Sequence, residues 1–430
     1  MSIDIIVMDV VENVKPRASR ATKPKPSVDA TSPAEEKPKA PRASRATKPK
    51  PSAAAPVPVP ISASAYVEPA DIDLARKQLR NSLYKTIKPI MDRMDTIESR
   101  IQFAKVVRSY LEHIQTCIHS SVDKPNHMAL SEKKEKLIKE RVIFDKQIGS
   151  ESVFGSAYLN AGKGLGRLLK FSAKVMPISF INEVDILTKM SALVEKKISP
   201  NMPIIYKHVK CTKPKDTTLA ANPAANDRIR KGNYYVVLSE IADGDTQNFF
   251  QIKHSDDVYE SALTQIMFSL RAFHNMGYYH NDAHLGNFLW HKITPGGYWQ
   301  YQYNETTIYV PNTGHLLVLW DPGSSKPLPT LAIYKDRPMF SDYRLSYVLI
   351  DAIETREKFQ NLKMIPVPEH IRKPFLNIVK SIPLEDPQPS YNIIIEEFIQ
   401  LLKSHQLKHV YYNNTLPPNA IIINKKPYPL

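Results

Sequence analysis

The chain has 430 residues, enough for one large domain or two medium ones plus tails, and 58 Lys and Arg against 43 Asp and Glu give a formal net charge of +15. Two cysteines, Cys117 and Cys211, are too few for a disulfide framework or a cysteine zinc site, which points to a reducing compartment. No apolar run approaches the ~18 residues of a membrane span, and the opening residues 1–14 carry Asp4, Asp9 and Glu12 without a basic leader, so no signal peptide is expected. The expectation is an intracellular, cytoplasmic protein, with the nucleus left open.

Residues 1–65 read as a disordered basic tail. The stretch 15–65 has no Phe or Trp and no Tyr, is rich in Pro, Ala, Lys and Ser, and cannot bury enough apolar area to offset chain ordering. The segment P-R-A-S-R-A-T-K-P-K-P-S occurs at 16–27 and again, unchanged, at 41–52. Cations held extended by prolines suit nucleic acid or another polyanion, bound through residues 15–52 by counterion release and without base readout. A solubilising or targeting tail is the equal alternative, and Ser19 and Ser44, each within R-A-S-R, are candidate phosphorylation sites.

Residues 66–145 read as a helical extension. From Pro89 the apolar positions Ile90, Met94, Ile97, Ile101, Ala104, Leu111, Ile114 and Ile118 recur in steps of three, four or seven, an amphipathic stripe on one helix. The stripe suits a coiled-coil dimer or packing against an adjacent helix or the following domain, and the second is preferred.

Residues 146–430 form the main domain, and all thirteen glycines fall between Gly149 and Gly323. Strand-like runs at 153–159, 168–176 and 234–240 accompany one helix, and helical periodicity follows at 258–276, 342–358 and 391–403. Gly149 and Gly155 bracket a strand–turn–strand whose backbone N–H groups would lie over phosphates. Lys174 sits inside an alternating strand, where a buried amine needs a partner or a phosphate, and Glu183 on the next helix is its natural ion-pair partner. The strand at 234–240 runs on to Asp245, well placed for a ribose hydroxyl. The run Y-H-N-D-A-H-L-G-N-F-L at 279–289 sets Asp282 five residues before Asn287, between a helix-like and a strand-like stretch. That is the layout of a phosphotransferase catalytic loop, with the Asp facing the substrate hydroxyl and the Asn holding a metal. A later strand, L-L-V-L-W, ends in D-P-G with Asp321 as the second metal-binding carboxylate.

With these motifs in this order, residues 148–351 resemble the protein-kinase superfamily, and the divergent form is similar to serine/threonine-protein kinases of large cytoplasmic DNA viruses of the iridovirus type. The resemblance implies an α+β, bilobal fold, with a small antiparallel β lobe near 146–240 and a larger helical lobe near 245–425. It implies ATP and Mg2+ as cofactors and Ser/Thr of a protein substrate as acceptor. Asp282, Lys174 and Glu183 would be catalytic. Ile148, Gly149, Phe154, Gly155, Lys174, Asp245 and the hinge residues Leu238, Ser239, Glu240 and Ile241 would bind the nucleotide, and Asn287 and Asp321 the metal.

Several residues depart from the family pattern. Six positions rather than five separate the glycine-loop ends, and Glu151 stands where a middle glycine is common. Asn281 replaces the Arg that docks a phosphorylated activation segment, and Pro322 replaces the aromatic of D-F-G. His284 stands where protein kinases carry Lys, as in small-molecule phosphotransferases. Only twenty residues separate Asp321 from Asp342, which would open the helix that buttresses the catalytic loop. The segments 297–304 and 307–310 alternate like an inserted β-hairpin. Gly162 to Gly166 is read as a turn rather than a Walker loop; His280 belongs to the loop scaffold, and zinc binding by His274, His280 and His284 is set aside because no fourth ligand is spaced for a closed site. A small-molecule or lipid kinase is one alternative, and a non-catalytic polyanion-binding or packaging protein on a kinase-like scaffold is the other.

Overall fold

The sheet nearest the N-terminus is built from the runs that the β-branched and aromatic residues mark. A computed structural model describes residues 96–112, 144–152, 155–160, 171–211, 233–328, 342–343, 364–381 and 393–430, with scattered helical positions from 74 to 90. All of these lie in one compact unit, Ala63–Leu430. The basic repeats with Ser19 and Ser44, positions Met94, Ile114, Ile118 and Phe154, the turn at 162–166 and Cys117 lie outside the described residues.

The helical stripe expected from Pro89 onward is interrupted. Thr96 has an extended backbone (φ −129°, ψ 163°) and caps a new helix, α1 (Ile97–Leu111), in a capping box with Ser99. A side-chain oxygen that takes the Ser99 amide at 3.1 Å satisfies an orphan donor that a continuous helix would not present. The buried stripe of α1 comprises Ile97, Ile101, Ala104, Val107 and Leu111, and both Val107 and Leu111 are fully enclosed. Each such aliphatic side chain contributes about 1.5–3 kcal/mol. The stripe is covered within the chain, against the sheet described next.

Five strands follow: β1 (Phe144–Ser152), β2 (Gly155–Asn160), β3 (Ser172–Pro177), β4 (Ile205–Cys211) and β5 (Tyr234–Ser239), antiparallel in the order β1-β2-β3-β5-β4. The helix α2 (Ile181–Glu195) connects β3 to β4 and packs on β4, as α1 does. Every residue of β3 and β5 is buried, as central strands covered on both faces require. Cys211, buried at the end of β4, is disulfide-bonded.

Beyond β5 come β6 (Gly244–Asp245), the single turn α3 (Thr246–Phe249), the long α4 (Asp256–Asn275), β7 (Tyr278–Tyr279) and β8 (Phe288–Lys292). Then follow β9 (Tyr298–Tyr303), β10 (Thr306–Pro311), β11 (His315–Leu319), β12 (Lys326–Pro327), α5 (Glu369–Ser381), α6 (Ile393–Lys403), β13 (Tyr411–Tyr412) and β14 (Tyr428–Pro429). From Val258 to His274, α4 is buried all round, which makes it a central rather than a surface helix.

This half, expected to be mainly helical, also carries a four-stranded sheet, β13-β10-β9-β14. Its centre is the inserted hairpin read from the alternation at 297–310. The two C-terminal strands that complete it are too short for any periodicity to mark them. The helix α5 escaped the periodicity because Pro374 lies inside it. Of the helix expected at 342–358, only Asp342 and Tyr343 fall among the described residues, and both are helical. The architecture is α+β, and among the described residues no helix is long and apolar enough to cross a membrane.

Candidate active site

Three separate pieces of chain meet at one buried cation. Lys174 on β3, 4% exposed, donates to Glu183 on α2 and to Oδ1 of Asp321 at 2.6 Å. Burial works against a charged amine here, but the two carboxylates overcome it and hold Lys174 above its ordinary value. Burial likewise works to raise the Asp321 carboxyl, and the Lys174 ammonium overrides it, so Asp321 is held below the usual carboxylate range. Glu183 is buried more deeply, and there burial prevails and pushes its carboxyl up. Among the described residues its Oε2 has no partner.

Strand register explains how Asp321 reaches this point. The pairs Leu319↔Phe288 and Val318↔Leu289 align β11 with β8, so the residues just outside the ladder, Asn287 and Trp320, are neighbours. The Trp320 amide donates to the Asn287 carbonyl at 2.8 Å, and Asp321 follows directly. Asp321 itself takes the left-handed conformation (φ 55°, ψ 63°), which costs a non-glycine residue about 1–3 kcal/mol. The insertion of β9 and β10 between β8 and β11 leaves this alignment intact.

The loop carrying Asp282 is held from below. Asp342, fully buried, accepts the amides of His280 and Asn281, both at 2.6 Å, and Nε2 of His274 lies 2.9 Å from its Oδ2. Asn281 is left-handed (φ 64°), a conformation that Asn tolerates better than most residues. The buried ring of His280 donates Nε2–H to the Trp320 carbonyl at 2.8 Å, joining the loop to the Asp321 segment. Burial lowers the His280 pKa, which keeps the ring neutral. These contacts give His274 and His280 scaffold roles. Among the described residues no group of three or more His, Cys, Asp or Glu side chains is arranged to hold a metal.

At the head of the loop, Asn287 donates Nδ2–H to the Asp282 carbonyl at 2.7 Å. Its Oδ1 receives no donor among the described residues. An amide oxygen and a carboxylate are hard donors of the kind that suit Mg2+, and Asn287 and Asp321 lie on segments joined by the Trp320–Asn287 backbone bond. The Asp282 side chain is 41% exposed, and His284 stands over it with Nε2 3.7 Å from Oδ2, while its Nδ1 accepts the Gly286 amide at 3.0 Å.

The residues expected around a nucleobase divide. The side chains of Leu238 and Ser239 are fully buried, with the Ser239 hydroxyl 2.8 Å from that of Ser172, so only their backbone is left to meet a ligand. The Glu240 side chain is engaged in a buried ion pair with Arg100 at 2.6 Å. Asp245, expected at a ribose, uses Oδ1 to accept the Asn248 amide at 2.8 Å as the cap of α3. Ile148, half-buried, and Gly149 belong to β1, and Gly155 opens β2. Gly244 is required by contact, since a Cβ there would stand 2.8 Å from Nε1 of Trp290.

Arg100 and Asn201 carry roles that the sequence did not mark. Asn201, fully buried, donates to Gln265 and to the Leu317 carbonyl and accepts the Tyr301 hydroxyl at 2.9 Å, tying the loop before β4 to α4, β11 and β9. No spacing or propensity distinguishes either residue from an ordinary polar position.

No family model matches the chain. A segment of 72 residues is 39% identical to the "Putative serine/threonine-protein kinase 019R" of Frog virus 3 (isolate Goorha). The match covers 16% of this chain and 8% of the relative's length.

Proposed function

We propose that this chain is a divergent serine/threonine-protein kinase, with ATP as phosphoryl donor, Mg2+ as metal and a protein hydroxyl as acceptor. The observation that carries the reading is the meeting of Lys174 with Glu183 and Asp321, from β3, α2 and the segment after β11, beside a loop that presents Asp282 and Asn287. The short match to the viral kinase supports it. On this reading the five-stranded sheet with α1 and α2 is the small lobe, and the chain from β6 onward is the large one.

Lys174 would hold the α- and β-phosphates, with Glu183 fixing the amine in place. Asp321 and Asn287 would hold Mg2+, which when bound neutralises phosphate charge. Asp282 would orient the acceptor hydroxyl and take its proton as the hydroxyl oxygen bonds to the γ-phosphorus and the bond to the bridging oxygen breaks, releasing ADP. Its exposure fits a group that must meet an incoming substrate. With so little covalent chemistry asked of the protein, positioning and electrostatics supply most of the rate.

The closeness of His284 to Asp282 favours a second reading, a small-molecule kinase of the same chemistry. Radiolabelled ATP offered with a panel of basic proteins and of small alcohols separates the two. Asp282→Ala should retain nucleotide binding and lose roughly 10²–10⁴ in turnover; turnover equal to wild type would defeat the assignment.

A further inference from the structure

The helix ahead of the sheet reaches the segment leaving β5 through one enclosed guanidinium. Arg100 on α1 is 3% exposed and meets four acceptors. Nε lies 3.2 Å from Oε2 of Glu240 and an Nη 2.6 Å from Oε1, while the carbonyls of Pro200 and Met202 accept at 2.9 and 3.1 Å. Glu240 is gripped from other sides as well. Its Oε1 accepts the Ile204 amide at 2.9 Å, its own amide donates to the Ile204 carbonyl at 3.1 Å, and its carbonyl accepts the Ser172 hydroxyl at 3.2 Å. His291 of β8 stands 3.8 Å from Oε1.

Directly after this pinned residue come Ile241 and Ala242, whose N–H groups donate to no partner among the described residues. They are backbone donors that follow directly on β5. The same helix also holds α2: Arg108 donates to the Ile205 carbonyl at 3.0 Å, to Ser191 at 3.2 Å and to Glu195 at 2.7 Å. One element outside the sheet thus grips both the segment leaving β5 and the helix that carries Glu183. A fork-shaped, always-charged donor set suits this grip, and an ammonium cannot reproduce it.

We infer that Arg100 is a positioning residue for nucleotide binding: by clamping Glu240 it fixes the backbone of residues 241–242 to receive the nucleobase, and α1 is part of the catalytic unit. This rests on the phosphotransferase reading above. The test uses the full chain, titrated with the fluorescent analogue mant-ATP and Mg2+ and assayed for ATP-dependent turnover, with thermal unfolding alongside.

Arg100→Lys keeps the charge and loses the fork, and Glu240→Gln keeps the volume and loses the pair. Each should weaken nucleotide binding and raise the ATP KM roughly tenfold with kcat within about threefold, the signature of lost ground-state binding. Folded Arg100→Lys and Glu240→Gln proteins that bind mant-ATP as wild type does would overturn the inference and leave the phosphotransferase reading standing. So would a fall in kcat at unchanged KM. Wild-type protein that binds no nucleotide would overturn both. Should Arg100→Lys fail to fold, Glu240→Gln still decides.

Discussion

Replacing Lys174 with Met removes the cation between the buried carboxylate of Glu183 and the half-buried one of Asp321. Glu183 is 2% exposed and already has one oxygen without a partner among the described residues, and Asp321 loses the ammonium 2.6 Å from its Oδ1. Breaking a buried pair by deleting one member costs about 3–5 kcal/mol, because the remaining charge is left uncompensated. For a large domain, at about 2 °C per kcal/mol, the melting temperature should fall by roughly 6–10 °C.

The loss should depend on pH. In the variant both carboxyls face burial and each other with no cation, so their folded pKa values rise above the unfolded ones. Groups shifted that way contribute stability below the unfolded pKa and lose it as pH rises. The gap between variant and wild type should therefore be widest near pH 8 and narrow towards pH 5, read by thermal or urea unfolding. A gap under about 1 kcal/mol, or one that does not change with pH, would refute the uncompensated-charge account.

Asp342→Ala strips the acceptor from the amides of His280 and Asn281. At about 1.5–3 kcal/mol for each charge-assisted bond, turnover should collapse and hydrogen exchange at those two amides should accelerate; unchanged protection would count against a buttressing role. Asn287→Ala removes the proposed metal-holding amide oxygen, so the Mg2+ concentration for half-maximal turnover should rise about tenfold or more, with ATP-free stability affected less. Because Lys174 holds the Asp321 carboxyl below its ordinary range against burial, the stability it contributes is present at neutral pH. It should be lost as pH falls below about 3.9, and Asp321→Asn should flatten that part of the acid-unfolding profile. Thr96→Ala should cost about 1 kcal/mol through loss of the cap on α1, measured by urea unfolding; no change would mean that another group satisfies the Ser99 amide.

Local chemistry was legible in the residues themselves. Alternation marked β3, β5, β11 and the β9–β10 hairpin, and 3.6-residue periodicity marked α4 and α6, because those patterns follow from which side chains one strand or helix can bury. The spacing of Asp282 and Asn287 placed both on one short loop, where the Asn287 amide reaches the Asp282 carbonyl at 2.7 Å. The break at Thr96 was legible too, in a Thr three residues ahead of Ser99, but the continuing apolar stripe concealed it. What no local pattern carries is the choice of distant partner. Lys174 meets Asp321 across 147 positions because β11 pairs with β8 in one register, and Arg100 meets Glu240 across 140 because α1 lies on the sheet. A side chain's propensity is fixed by its neighbours in sequence, whereas its buried counter-charge is fixed by topology. Only the folded chain could turn Glu240 from an expected nucleotide-binding residue into the anchor of α1.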